Sequence, residues 1–288
     1  MSSAEASPSQ KETPFQFLSS LARELSSGRV DLPSFPDVAA RTQQILSDES
    51  VTNERIARLV GSDAGLAGRI LTMANSVLLH RGGASVTDVK VAVMRIGHDN
   101  IRAAALAYAN AQLRRAPELA HIRLQLEACW RDGVRVAALA HAMAKEARSI
   151  RPDEALLAGL LHNVGKIYII ARSPRDGAMQ VDDPILRDWY PGIGTAVVEN
   201  WKLPEAISQA VGGQLDLERT HEEGEEADLQ DLLIMAVALA EQLTSGSSDD
   251  KALAELPAAA SLGLSDSALV RIMLESQTEI ETLQAALG

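Results

Sequence analysis

Aromatic side chains are scarce in this chain of 288 residues, at 3%, although 46% of it is hydrophobic. The core therefore has to be assembled from Ala, Leu, Val and Ile, a mixture that packs helices closely and carries high helix propensity. Cysteine is nearly missing. Cys129 alone can form neither an internal disulfide nor a cysteine metal cluster, which fits a reducing compartment; beside Trp130 in an apolar stretch it reads as a buried structural thiol. Positive charge is outnumbered, with 27 Lys and Arg against 39 Asp and Glu and a net charge of -12. Binding along a phosphate backbone needs a clustered excess of basic side chains, so no nucleic-acid partner is expected, and Arg114-Arg115 reads as a solvated helix end. There is no uninterrupted apolar run of about eighteen residues, the length needed to span a bilayer. The N-terminal MSSAEASPSQKETP lacks the apolar centre of a secretory signal. The expectation is a cytoplasmic protein with no membrane partner.

Several catalytic signatures are missing as well. No Gly-x4-Gly-Lys-Ser/Thr phosphate cradle is present, and Gly192-Ile193-Gly194 has neither the third glycine nor the strand–turn–helix setting of a dinucleotide site. No Gly-x-Ser-x-Gly elbow occurs, and nothing beside Cys129 marks it as a nucleophile.

What the chain does have is helical periodicity. Residues 1–14, rich in Ser, Pro and charge, offer too little apolar area to order and read as a disordered tail. Ser34-Phe35-Pro36-Asp37 has the form of a capping box with Ser34 as the N-cap. Ile56, Leu59 and Val60 share one face of a helix opened at Thr52 and stopped at Gly61. Leu66, Ile70 and Met73 mark the next helix; Gly82-Gly83 interrupts the chain, and Val89, Val93 and Ile96 form a short stripe closed by Gly97. An Ala-rich helix runs from Ile101 to Leu113, and Pro117 falls between two patterns as a boundary. A long pattern then covers Glu118 to Ala147, and a shorter one delivers His162. Helices follow over 184–201, 204–211, 232–243 and 266–287, and the acidic segment 216–231 reads as a solvated loop. With no strand alternation, the fold is predicted to be all-α, about a dozen helices joined by short loops.

Six histidines lie at positions 80, 98, 121, 141, 162 and 221. His98-Asp99 follows Gly97, where Asp99 serves the positive end of a helix. His162 stands in Ala158-Gly159-Leu160-Leu161-His162-Asn163-Val164-Gly165-Lys166, a string that resembles the core motif of the HD phosphohydrolase superfamily, with Asn163 in place of the Asp that binds metal there. Leu32-Pro33-Ser34-Phe35-Pro36, Val60-Gly61-Ser62-Asp63-Ala64-Gly65-Leu66, Leu71-Thr72-Met73-Ala74-Asn75-Ser76 and Met94-Arg95-Ile96-Gly97 precede it. Trp130 and Trp201-Lys202-Leu203-Pro204 complete the series. In order and spacing these resemble the HDOD family, a bacterial signalling branch of the HD superfamily, over about residues 29–215.

The resemblance implies an HD-like helical bundle with an additional N-terminal helical lobe: residues 15–116 for that lobe, 117–245 for the HD-like lobe, and 246–288 for a C-terminal linker and amphipathic helix that folds back. It also implies where metal ligands would lie. Asp132 matches the first His, Tyr190 a further His, Gly212-Gly213 another pair, and Glu241 the final Asp, which leaves His162 as the unaltered ligand. The implied site is vestigial at His162, Asn163 and Lys166 and degenerate at the other positions, with no metal and no cofactor. Asp63 can cap its own helix or pair with Arg69, and Asn75 and Ser76 can cap a helix end or meet a partner; capping is the simpler role for such residues. The expected function is that of a non-enzymatic adaptor in bacterial signal transduction that meets a protein partner in trans. Two rivals are a metal-dependent phosphohydrolase acting on a nucleotide or cyclic dinucleotide, and a sensor that binds such a ligand without cleaving it, using Lys166 or Arg172 for phosphate.

Overall fold

The computed structural model describes residues 13–48, 50–76, 85–147, 149–174, 179–222, 225–245 and 253–287. The expected tail up to residue 12, His80 and Gly82-Gly83 lie outside the described residues. Among the described residues every regular element is a helix. Chain order gives α1 (Pro14–Ser26), α2 (Asp37–Ile45), α3 (Asn53–Val60), α4 (Ala64–Ala74), α5 (Val89–Arg115) and a 3-10 stretch (Pro117–Ile122). There follow α6 (Arg123–Ala147), α7 (Pro152–Leu161), α8 (Val164–Arg172), α9 (Pro184–Asn200), α10 (Glu205–Gly213), α11 (Leu229–Ser245), α12 (Pro257–Ser261) and α13 (Asp266–Leu287).

Local chemistry explains most of the helix starts. Thr52 accepts the Arg55 amide at 3.3 Å, Asp63 that of Leu66 at 2.9 Å and Asp88 that of Val91 at 3.0 Å, each satisfying a donor the first turn leaves open. Gly97, at φ 77° and ψ 170°, breaks the helical path inside α5 rather than ending it. Thr13 and Pro14 do not belong to a tail: Thr13 caps α1 reciprocally with Gln16, and Pro14 opens its first turn. The expected cap at Ser34 is corrected. Ser34 has a left-handed backbone, φ 59°, whereas an N-cap is extended; α2 starts behind Pro36 with no side-chain cap, and the Ser34 hydroxyl bonds Glu118 instead.

Helices α2, α3 and α4 pack on α5, while α6 to α11 pack among themselves, with α6 against α7 as the most extensive pairing. One apolar core runs through both groups, because α5 also packs on α6 and α7. Helix α1 departs from the expected 15–116 unit: it packs on α9, with Phe15 edge-on to Trp189 at 5.7 Å and Asn200 donating to the Leu25 carbonyl at 3.1 Å. Helix α13 folds back along α6 and reaches α4 and α5. His141 Nδ1 and Lys145 Nζ both meet Glu279 Oε1 at 2.8 Å, and Arg271 bonds Glu146 at 2.6 Å. The stretch Pro152–Arg172 is long and apolar enough, by composition, to cross a membrane, but 83% of its most apolar window is buried within the fold, so its apolarity is that of a core.

Candidate functional site

Helix α7 lies in the interior with every residue from Ala155 to Leu161 buried. It can approach α6 this closely because Gly159 has no side chain: a Cβ there would stand 2.4 Å from Ala137 Cα. The approach brings His162, buried at the end of α7, against Asp132 on α6. His162 Nδ1 lies 2.8 Å from the Gly159 carbonyl oxygen and Nε2 lies 3.2 Å from Asp132 Oδ2. A carbonyl only accepts, so Nδ1 is the donor toward Gly159 and Nε2 is the nitrogen that faces the Asp132 carboxyl group. Burial by itself would raise the Asp132 carboxyl; the hydrogen bond and charge of His162, with Lys166 and Arg135, overcome it and hold the group at about 2. Asp132 is thus held as a carboxylate against the His162 ring.

The residues around the pair point away from any shared centre. Asn163 donates Nδ2 to the Cys129 carbonyl at 2.7 Å, and its Oδ1 is buried without a hydrogen-bond partner. Lys166 on α8 holds its ammonium 4.4 Å from the centroid of the Tyr190 ring, near enough to Asp132 to lower its carboxyl. Gly165 permits this by letting α8 meet α9; a Cβ there would come within 2.0 Å of the Tyr190 carbonyl oxygen. Burial, with the charge of Glu241 adding to it, pushes the Tyr190 phenol up, so it stays protonated and faces Gln214 Oε1 at 3.5 Å. Gln214 in turn donates to the His162 carbonyl at 2.7 Å.

Gly212 and Gly213 form the last turn of α10 rather than following it, and neither has a side chain to offer; they make room for Thr195 and Gln230 respectively. Glu241 is 57% exposed and faces Arg187 at 3.7 Å. A protein-held divalent cation needs about three converging donors. Here His162 and Asp132 bond each other, and a lysine ammonium already occupies their electrostatic surroundings. Among the described residues no three His, Cys, Asp or Glu side chains converge as a metal would require. The donor set does not fit a catalytic metal.

Of the residues expected at an interaction surface, Asp63 caps α4 and accepts the Tyr108 hydroxyl at 3.1 Å, while Arg69 is half-buried within reach of Tyr108, Arg114 and Arg115. Asn75 ties the end of α4 to residue 86, donating to the Val86 carbonyl at 2.8 Å and accepting its amide at 2.7 Å. Ser76 donates to the Met73 carbonyl at 2.7 Å. The expected solvated end at Arg114 is corrected, since its guanidinium stacks on Trp130 at 5.2 Å. Arg172, offered to phosphate by the sequence, instead grips Glu24 through Nη1 at 3.3 Å and Nη2 at 3.0 Å and the Asp31 carbonyl at 2.9 Å.

The acidic segment 216–231 also departs from a solvated loop. Asp231, fully buried, accepts from Arg219 at 3.0 Å and meets His221 Nε2 at 2.7 Å, and Arg219 forks onto both oxygens of Asp228 at 2.6 and 2.7 Å. Charge density along the sequence suggested solvent. The one available signal was His221 ten residues before an aspartate that opens an apolar helix.

Residues 32–216 match the HDOD domain family, and the chain belongs to it. Solved structures share the fold across nearly the full length. A candidate metal-dependent phosphohydrolase from Shewanella amazonensis SB2B is 23% identical with a TM-score of 0.70, covering 95% of this chain and 99% of that one. An HDOD domain protein of unknown function from Geobacter sulfurreducens is 24% identical with a TM-score of 0.62, covering 93% and 96%. A candidate signal transduction protein from Marinobacter aquaeolei VT8 is 18% identical with a TM-score of 0.57, covering 94% of this chain and 65% of that one. At these identities the likeness is one of fold. No curated protein matches the chain.

Proposed function

We propose that this HDOD-family chain is a non-catalytic regulatory adaptor of bacterial signal transduction that works in the cytoplasm by contact with a protein partner. The observation that carries the reading is the closed His162–Asp132 pair. Both ring nitrogens are engaged, at 2.8 and 3.2 Å, and the Lys166 ammonium stands nearby on the Tyr190 ring. A hydrolytic centre must instead present open coordination positions to a cation and an activated water. Tyr190, Gly212 and Gly213 contribute none, and the amide of Asn163 is turned to the Cys129 carbonyl. A frame of this kind keeps a rigid shape for recognition while its former site serves packing.

The test is metal content and turnover measured on the purified chain. The expected outcome is no retained divalent metal and no hydrolysis of nucleotides or cyclic dinucleotides with added manganese, magnesium or iron. Near-stoichiometric metal that His162→Ala removes, together with turnover, would establish the phosphohydrolase reading in its place.

A further inference from the structure

Helices α2 and α3 and the turn between them enclose a cleft of about 720 Å³ lined by Arg41, Arg55 and Arg58 among polar and apolar neighbours. That volume lies within the roughly 300–1,000 Å³ usual for small-ligand sites. Three guanidiniums line it against one carboxylate, Asp48, in a chain whose net charge is -12, so the cleft is a local concentration of positive charge in an acidic protein.

The arginines have donors to spare. Arg41 lies 3.7 Å from Asp37 and Arg55 lies 3.9 Å from Asp48, both beyond hydrogen-bonding distance. Arg58 has no ion pair among the described residues. Asp48 is turned to Ser50, accepting its amide at 2.9 Å and its hydroxyl at 2.6 Å. The cleft also borders the carboxyl end of α2, where unpaired carbonyls would ordinarily repel an anion. Arg102, 5% exposed, removes that obstacle from behind by donating to the Gln43 carbonyl at 3.4 Å and the Leu46 carbonyl at 2.5 Å. It has no carboxylate partner among the described residues. Burial lowers its guanidinium to about 10, so it remains charged at neutral pH and adds to the field. Ile45 and Leu59 supply an apolar wall.

We propose that the α2–α3 cleft is a binding site for a small phosphorylated ligand of nucleotide size, whose phosphates are held by Arg41, Arg55 and Arg58 and whose ring rests on Ile45 and Leu59. Guanidinium forks match phosphate oxygens in pairs, and the volume holds a ring beside them. Lys166 and Arg172, the cations the sequence offers for phosphate, are engaged by Tyr190 and Glu24, whereas Arg41 and Arg55 of this cleft have only long, exposed ion pairs. The site is independent of the adaptor reading and stands whether or not the protein turns over a substrate.

Calorimetric titration of the full chain at low salt, with ADP and with inorganic pyrophosphate as separate probes and no divalent metal, tests it. Saturable binding of at least one probe is expected, weakened about tenfold by Arg58→Ala, which removes charge-assisted hydrogen bonds to phosphate. The double variant Arg55→Ala/Arg58→Ala should abolish it, and added salt should weaken it. Tighter binding of ADP than of pyrophosphate assigns the apolar wall to a ring; equal or weaker binding of ADP overturns the ring contact with Ile45 and Leu59. Both substituted arginines are exposed, so unchanged circular dichroism shows that the variants fold, and Arg271→Ala on α13 controls for loss of one positive charge elsewhere. Silence from both probes, or binding that survives the double variant, would overturn the proposal.

Discussion

Asn163 donates its amide Nδ2 to the carbonyl oxygen of Cys129 across the α6–α7 junction at 2.7 Å. The side chain that stands where the HD resemblance implies a carboxylate is thereby a structural donor between the two most extensively packed helices.

Restoring the carboxylate should therefore harm rather than revive the site. In Asn163→Asp a buried anion would face a carbonyl with no donor between them, at a cost of about 2–4 kcal/mol. Urea denaturation is expected to show a lower midpoint, and metal analysis to show no gain of bound cation. An unchanged midpoint with bound metal would mean that the side chain turns back toward His162.

The close helix contacts make a second prediction. At Gly165 a Cβ would lie 2.0 Å from the Tyr190 carbonyl and 2.7 Å from the Gly194 amide nitrogen, and neither is a flexible side-chain end. Gly165→Ala should cost about 3 kcal/mol by overpacking and separate Lys166 from Tyr190. Gly192→Ala, where nothing lies within 4 Å, should leave the thermal midpoint within about a degree or two, since changes away from packed features usually stay within about 0.5 kcal/mol.

Acid titration tests the two half-buried carboxylates that face histidines. Hydrogen bonding to His141 lowers the Glu279 carboxyl, and although burial opposes it, Lys145 helps hold the group at about 2; Asp132 stands at about 2 as well. Both folded values lie below the ordinary 4.5 and 3.8. Their contribution to stability is then complete above those ordinary values and is lost as pH falls toward 2. Unfolding midpoints of Asp132→Asn and Glu279→Gln should fall below the wild type at neutral pH and converge on it as pH drops. Parallel curves would show that neither carboxylate is held in its charged form.

Cys129 should be inert in the folded protein. Burial pushes its thiol up to about 12, and thiol reagents attack the thiolate. A colorimetric thiol reagent is expected to label it only in denaturant, and rapid labelling of the native chain would show that α6 opens locally there.

Helix content was readable in the chain order because a buried face repeats with the helical period, and because Thr52 and Asp63 cap their own next turns. The string ending at His162-Asn163, with the motifs before it, likewise pointed to the HDOD family, because such motifs are written in the residues themselves. Other features depend on partners far apart in the chain. His162 meets Asp132 thirty residues away, Arg172 meets Glu24 at a separation of 148, α1 covers α9, and the acidic run closes on Arg219 and Asp231.

Periodicity states which face of a helix is buried, but not what buries it. Crossing and register decide that, and here they follow from glycines whose missing Cβ atoms let α6 meet α7 and α8 meet α9. The chain alone thus settled the helices and the family to which they belong. Packing alone decided that His162 would be closed by Asp132, and that three arginines from neighbouring helices would line one cleft.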